Sequence, residues 1–353
     1  MSSDERRNPM TDPTHPPVLD LSMNETPFPP PDRLRALVAD EAARLNRYPS
    51  NTAATLVGAL AERLAVPAAR VLVGPGSAGL CQHLLQAAGA AGGEVVHAAL
   101  SFEAYPLLIA NAGARPVPVP LHGFAHDLDA MAAAITPQTR VVLVCTPNNP
   151  TGAALDRVAL TRFLDRVPAE VTVVVDEAYR EFATDPDLPE GVELARDRDN
   201  VCVLRTFSKA YGLAALRIGY AVVPARIAGP ARMLGAVFFP NSLAQAAALA
   251  ALDPEAEELT RIRCRELAGY RDALGADLAA AGLPVAPSQA NFLWLPLGPE
   301  AEPFAEHCTA NGILVRAYPG AGVRVTVGDP DANRRLHDAA RTFVAATTAV
   351  PAR

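Results

Sequence analysis

A single lysine, Lys209, stands among 30 arginines in 353 residues. A guanidinium stays protonated in proteins, whereas a lysine amine is driven to its neutral form by burial or neighbouring cations. A chain that uses arginine wherever charge suffices therefore keeps a lysine where the amine itself reacts, and imine formation with an aldehyde is the chemistry it suggests. Chance survival on a solvated face is the plain alternative. Three further clusters carry chemistry. Val71-Leu-Val-Gly74-Pro-Gly76-Ser77-Ala78-Gly79 reads as a strand, a glycine turn and a helix start, where backbone N–H groups can face a phosphate. The same run fits Gly-x-Gly-x-x-Gly with Glu94 at the spacing of a dinucleotide site, and it also fits a purely structural turn. Asp176 ends a valine-rich run; an acid there either pairs with a protonated ring nitrogen or caps a helix. Asn149, between prolines in Thr146-Pro-Asn148-Asn149-Pro150-Thr151-Gly152, is either a fixed amide donor to a phenolate oxygen or part of a plain turn.

The elements that would position these groups alternate along the chain. Helical patterns over Pro31–Leu45 and Thr52–Leu64 precede short strands at Val71–Val73, Glu94–His97, Pro116–Val119, Val141–Cys145, Val171–Val175, Val201–Arg205 and Gly219–Val223, separated by alanine-rich helical stretches. Nearly continuous Val/Leu strands in such alternation predict a mainly parallel seven-stranded sheet covered on both faces, an α/β fold. Beyond about Asn241 long amphipathic helices and the strands Phe292–Leu295 and Val323–Val327 predict a smaller α/β unit. The expected division is a disordered N-terminus (1–17), an N-terminal arm (18–45), a large domain (46–240) and a small C-terminal domain (241–353). Ligands of open parallel sheets gather outside the carboxyl ends of strands, where all four clusters fall. A nicotinamide enzyme has no use for the lysine, the acid or the asparagine. Together with a phosphate cradle they match the aldehyde, ring nitrogen, phenol and phosphate of pyridoxal 5′-phosphate (PLP).

A net charge of −7 and a pI near 5.6 lack the basic stripe of a nucleic-acid groove, so small-molecule partners are expected. Five scattered cysteines without a Cys-x-x-Cys pair imply neither a disulfide framework nor a zinc ribbon, and read as core residues. No apolar run suits a membrane span, the polar, proline-rich start lacks the core of a signal peptide, and a cytoplasmic location is expected. His122 and His126 flank Gly123 without a third ligand and read as a surface loop; no metal is expected.

Asn149-Pro-Thr-Gly, Asp176-Glu-Ala-Tyr179 and Ser208-Lys209 with Arg217 resemble the fold type I aminotransferases that use PLP. Within them the chain resembles the histidinol-phosphate aminotransferase branch, most closely its actinobacterial aromatic-amino-acid (phenylalanine) members. The similarity runs from about Leu19 to Phe343 and includes Asn24-Glu-Thr-Pro-Phe28, Arg47-Tyr48-Pro49, Ser101-Phe-Glu-Ala-Tyr105-Pro106, Ser288-Gln-Ala-Asn291-Phe and Val323-Arg324-Val-Thr-Val-Gly328.

The resemblance implies an aminotransferase moving an amino group between an amino acid, aromatic favoured, and an oxo acid such as 2-oxoglutarate. Histidinol phosphate as substrate, or a lyase, decarboxylase or oxidative outcome on the same cofactor, are the alternatives. Lys209 would carry the cofactor and shuttle the proton, Asp176 pair with the ring nitrogen, and Tyr179 and Asn149 hold the ring oxygen. Gly76, Ser77, Ala78, Thr206 or Ser208, and Arg217 would hold the phosphate, and Tyr105 would stack on the ring. Tyr48 would reach a phosphate across a homodimer interface. Arg324, and with it Arg316, would anchor the substrate, beside Asn291 and an N-terminal lid around Asn24. Departures gather on the substrate side: Ala99-Leu100 for Trp-Arg, Phe238-Phe-Pro-Asn241 for Pro-Phe-x-Val, and Ala317-Tyr-Pro for Pro-Tyr.

Overall fold

The valine-rich runs pair into one seven-stranded sheet in a computed structural model that describes residues 18–235 and 239–348. The expected disorder of residues 1–17, and Phe238 in the Phe-Phe-Pro stretch, lie outside the described residues. Across the sheet the order is Val71–Gly74, Gly219–Val222, Val201–Thr206, Thr172–Asp176, Thr139–Cys145, Glu94–Ala98 and Arg115–Val119. Neighbours from Val201–Thr206 to Arg115–Val119 pair in parallel, and Gly219–Val222 runs antiparallel to both of its neighbours. Strand ends differ slightly from the sequence expectation: Asp176 and Thr206 belong to their strands rather than following them.

Both faces of this sheet are buried, which is why its strands read as unbroken apolar runs. Side chains alternate between two cores. Val173, Val175, Val142, Val144 and Val203 meet Leu56, Leu60, Phe163 and Ala247 on one face. Val174, Leu143, Cys202 and Leu204 meet Leu80, Leu84, Ile109 and Ile227 on the other. The five cysteines are free and buried, as core residues should be.

A three-stranded antiparallel sheet, in the order Phe292–Leu295, Gly322–Thr326, Arg316–Tyr318, forms the frame of the C-terminal part. Its period of two sorts the side chains. Leu293, Leu295, Val323 and Val325 enter a core with the helices Pro254–Ala280, Ala301–Ala310 and Pro330–Thr348. Phe292, Trp294, Arg316, Tyr318, Arg324 and Thr326 occupy the opposite face. The N-terminal arm is shared between the two cores. Leu19–Asp20 pairs in parallel with Ile313–Leu314 and Leu21 packs on the small sheet, while the helix Asp32–Ala42 buries Leu34 against the large one. The helix Ser242–Ala251 likewise buries Ala244, Ala247, Ala248 and Ala251 in the core of the large sheet.

Candidate active site

The carboxyl edge of the large sheet gathers the chemical groups because four strands end there in register. Gly219 lies opposite both Gly74 and Thr206, and Cys145 lies opposite Asp176. After Gly74 the chain turns through Pro75 into the helix Gly76–Ala87, whose first turn has no side-chain cap. Gly76 sits at φ 72°, a backbone conformation that favours glycine, and a Cβ there would come within 2.9 Å of Arg217 Nη2, so the guanidinium lies close against the turn. At Gly219 a Cβ would meet the Ser77 nitrogen at 2.8 Å, which lets that strand lie directly against the helix start. Arg217, itself at φ 55°, donates from Nη1 to the Ala214 carbonyl at 2.8 Å and to Ser208 Oγ at 3.4 Å. The Ser208 N–H donates to Thr206 Oγ1 at 3.1 Å. A guanidinium, a hydroxyl and the free N–H groups of a helix start thus converge, an arrangement that suits a phosphate.

Asp176 is 5 % exposed, and burial pushes its carboxyl up to about 6. Its Oδ2 accepts from the Tyr105 hydroxyl at 3.0 Å and its Oδ1 from the Ala178 N–H at 3.2 Å. Both hydrogen bonds favour the charged form and oppose the burial. Tyr105, expected as the ring-stacking residue, is itself only 1 % exposed and lies behind Asp176. Phe102 packs edge-on against it, centroids 5.4 Å apart, and remains partly exposed.

Lys209 donates from Nζ to the Met23 carbonyl at 2.9 Å and lies 5.9 Å from the centre of the Tyr179 ring. Burial and the nearby Arg324 cation lower its amine to about 8, with Arg217 adding in the same direction and Glu25 opposing. About a tenth of the amine is therefore neutral at pH 7, far more than an ordinary lysine offers. The Tyr179 hydroxyl is buried, which drives its pKa upward, and it accepts from Asn24 Nδ2 at 3.0 Å.

Arg324 connects the two sheets. It donates from Nη1 to Asn149 Oδ1 at 2.6 Å and to Tyr318 Oη at 3.3 Å, and from Nη2 to the Ser22 carbonyl. It lies over the Phe292 ring at 5.7 Å, and its Nε is buried without a partner. Asn291 donates to the Asn24 carbonyl at 3.2 Å while its Oδ1 is also buried and unpartnered. Asn24, at φ 54°, is held by Thr326, whose Oγ1 accepts from its backbone N–H at 2.9 Å. Such left-handed geometry is tolerated by asparagine. Arg316 is bound to Glu103 instead, with Nη2 2.7 Å and Nε 3.2 Å from Oε2.

Tyr48 is 82 % exposed and borders a surface cleft of about 380 Å³ with Arg44, Arg47, Thr55 and Gln245. One further expectation met different surroundings. His126 is not on a surface loop. It is 5 % exposed beneath the Thr146–Gly152 turn, 3.1 Å from Asn148 Oδ1, and burial lowers it to about 4. Among the described residues no group of three His, Cys, Asp or Glu side chains could hold a metal, and no helix is long and apolar enough to cross a membrane.

Phe102, Glu103, Tyr318 and Thr326 were not singled out by sequence. The alternation of residues 316, 318, 324 and 326 along two strands was a readable signal for the last two, whereas the loop position of Phe102 and Glu103 gave none.

Residues 16–339 match the family Aminotransferase class I and II. The chain belongs to it. The aminotransferase is 51 % identical over 323 residues to the aromatic amino acid aminotransferase of Thermobifida fusca, covering 92 % of this chain and 89 % of that one. It is 49 % identical over 314 residues to the enzyme of the same description from Streptomyces coelicolor, with 89 % and 87 % covered. Among solved structures, histidinol-phosphate aminotransferase from Sinorhizobium meliloti, in complex with pyridoxal-5'-phosphate, superposes on the aminotransferase with a TM-score of 0.87 at 27 % identity, over 94 % of this chain and 92 % of that one.

The residues present in the aminotransferase fit that cofactor. The cradle at Gly76, which a side chain would fill, suits its phosphate, the buried Asp176 its ring nitrogen, and the lysine of lowered pKa its aldehyde.

Proposed function

We propose that this aminotransferase moves the amino group of an aromatic amino acid to an oxo acid such as 2-oxoglutarate. The aromatic donor is supported by the relatives from Thermobifida and Streptomyces, both described as aromatic amino acid aminotransferases at about half identity. The enzyme is PLP-dependent, and PLP supplies an electrophilic aldehyde and a ring that takes up the electrons released when the α-proton leaves.

The chain's own residues do the rest. Lys209, with its amine lowered to about 8, would hold the cofactor through Nζ and would carry a proton to and from the substrate α-carbon. Asp176 keeps the ring nitrogen protonated, and Tyr105 fixes the carboxylate for that purpose. Tyr179 and Asn149 hold the phenol oxygen; because Asn149 Oδ1 accepts from Arg324, its amide nitrogen is the end left to donate. The N–H groups of Gly76, Ser77 and Ala78, with Thr206, Ser208 and Arg217, bind the phosphate. Phe102, the partly exposed ring in front of Tyr105, covers the ring face in place of Tyr105. Arg324 grips the substrate α-carboxylate with Asn291 beside it, and the segment around Asn24 closes over both.

The same reading places the cofactor on a large unit, residues 46–240, makes the arm 18–45 the substrate lid and a contributor to the small unit, and leaves 241–353 as that small unit, with its first helix, Ser242–Ala251, packed on the large sheet. It makes the protein a homodimer in which Tyr48, exposed within one chain, reaches the partner's phosphate site. Five free, buried thiols suit the reducing cytoplasm.

The carrying observation is the placement of Lys209 beside Tyr179 and near the cation of Arg324. The test mixes holoenzyme with a panel of amines, follows the cofactor spectrum and identifies products by mass. An oxo acid with the amine retained on the cofactor, fastest from an aromatic amino acid, is expected. Carbon dioxide, ammonia or peroxide without a stored amine contradicts transamination. Histidinol phosphate is the second reading, favoured by the likeness to the Sinorhizobium enzyme, and its preference over aromatic amino acids in the same panel would replace the first.

A further inference from the structure

Two arginines face the same cleft with their charges handled differently. Arg316 and Arg324 are directly opposite in the antiparallel register of the small sheet, so their side chains share a face. Arg324 is 5 % exposed, and the groups that accept from it, Asn149 Oδ1, Tyr318 Oη and the Ser22 carbonyl, are all neutral. Its charge is left for a substrate anion. The Arg316 side chain, beside that of Arg324 on the same face, is more open to solvent at 40 % exposed, and both its Nε and Nη2 are committed to one oxygen of Glu103. Glu103 comes from the other wall of the cleft. It sits in the loop between the strand Glu94–Ala98 and the helix Tyr105–Asn111, next to Phe102. The pair therefore spans the cleft beside Arg324.

We propose that Glu103 is a selectivity residue that sets the balance between the two substrates: by neutralising Arg316 it favours uncharged side chains at the outer end of the cleft and weakens, without excluding, an acidic partner such as glutamate or 2-oxoglutarate, whose side-chain carboxylate must take the place of Glu103 on Arg316. The inference rests on the reading that Arg324 binds the α-carboxylate. A side chain extending from there toward Arg316 meets a compensated guanidinium and a carboxylate. An aromatic ring has no charge to repel and can lie against the flat ion pair. An anionic side chain must first displace Glu103 from Arg316 and then leave that carboxylate unpaired beside it.

The test compares wild type with Glu103→Gln in the cofactor half-reaction, using glutamate as the anionic probe and whichever neutral amino acid the wild type turns over fastest. The kcat/KM ratio of glutamate to the neutral amino acid should rise about two- to fivefold, the size expected of one partly exposed charge pair. The neutral amino acid should change by less than about twofold, and added salt should shrink the effect. Spectral titration of the holoenzyme should show the same preference in binding alone, with glutarate gaining affinity and 3-phenylpropionate not. Arg316→Gln, which leaves Glu103 uncompensated, should move the ratio the other way. Parallel changes for both substrates, or an unmoved ratio, would make the pair a mere brace between the two walls and overturn the proposal. Because the neutral probe is chosen by the enzyme, failure of phenylalanine as a substrate would count against the aromatic reading alone.

Discussion

The proposed cofactor side and the proposed substrate side of this cleft are built by opposite means. On the cofactor side Gly76, Asp176, Thr206 and Ser208 come from the ends of strands in one sheet, fixed by its register and by a backbone geometry that favours glycine at position 76. On the substrate side the contacts join distant parts of the chain: Asn24 to Thr326 across 302 residues, Asn291 to Asn24, Arg324 to Ser22. The first side is rigid because it is part of a sheet covered on both faces. The second is held by a few polar contacts between an arm and a small sheet, which any substrate must engage or replace. Changes on the cofactor side should therefore impair every substrate alike, and changes on the substrate side should separate one substrate from another.

The largest break should come from Lys209→Arg. Turnover should fall by at least about 10³-fold with the fold intact, since guanidinium cannot supply the neutral amine. With a pKa of about 8 the wild-type amine should react with cofactor aldehyde faster as pH rises, levelling above pH 8. Because the folded pKa lies below the usual lysine value, the unfolded chain binds more protons between the two, and the cofactor-free protein should gain stability with pH over that interval.

Asp176→Asn should lower kcat about 10²-fold for all substrates, measured as equal losses across the amino-acid panel. The carboxyl is raised by burial to about 6 from its usual 3.8. The folded, cofactor-free protein therefore binds the extra proton in this range and loses stability as pH rises from about 4 through 6, a slope that the asparagine variant should abolish in thermal melts. Over the same interval cofactor affinity should increase, because the charged carboxylate is the form that pairs with the ring nitrogen.

Arg324→Gln sharpens the comparison from the other side. It should raise KM for amino acids by about 10- to 100-fold, the value of a buried charge-assisted pair, with cofactor affinity nearly unchanged. The smallest effect is expected from Tyr105→Phe, a buried and nearly isosteric change. It removes one hydrogen bond that favours the Asp176 carboxylate, so the midpoint of the pH-dependent cofactor affinity should move upward, with less than about a tenfold loss of kcat.

The same contrast explains what the sequence disclosed. The seven strands, their order along the chain and the clusters around Gly76, Asn149, Asp176 and Lys209 were legible because each cluster is contiguous and sits where a buried strand stops. The place of Tyr105 was not. Its motif gave its neighbourhood, but whether the ring faces the cleft or backs Asp176 depends on packing against Phe102. Arg316 and Arg324 read alike as anion-binding residues; only the opposing loop, 213 residues away from Arg316, separates them by giving one a carboxylate. His126 lacked any sequence sign that it would be covered by the turn holding Asn148.

The central claim is that one amine, at Lys209, carries the cofactor, and its most direct test is reduction of the coloured holoenzyme with borohydride followed by peptide mass mapping. One pyridoxyl group fixed on the peptide containing Lys209, and none in the Lys209→Arg protein, is the expected result. A label elsewhere, or a colour that survives reduction without covalent attachment, would contradict it.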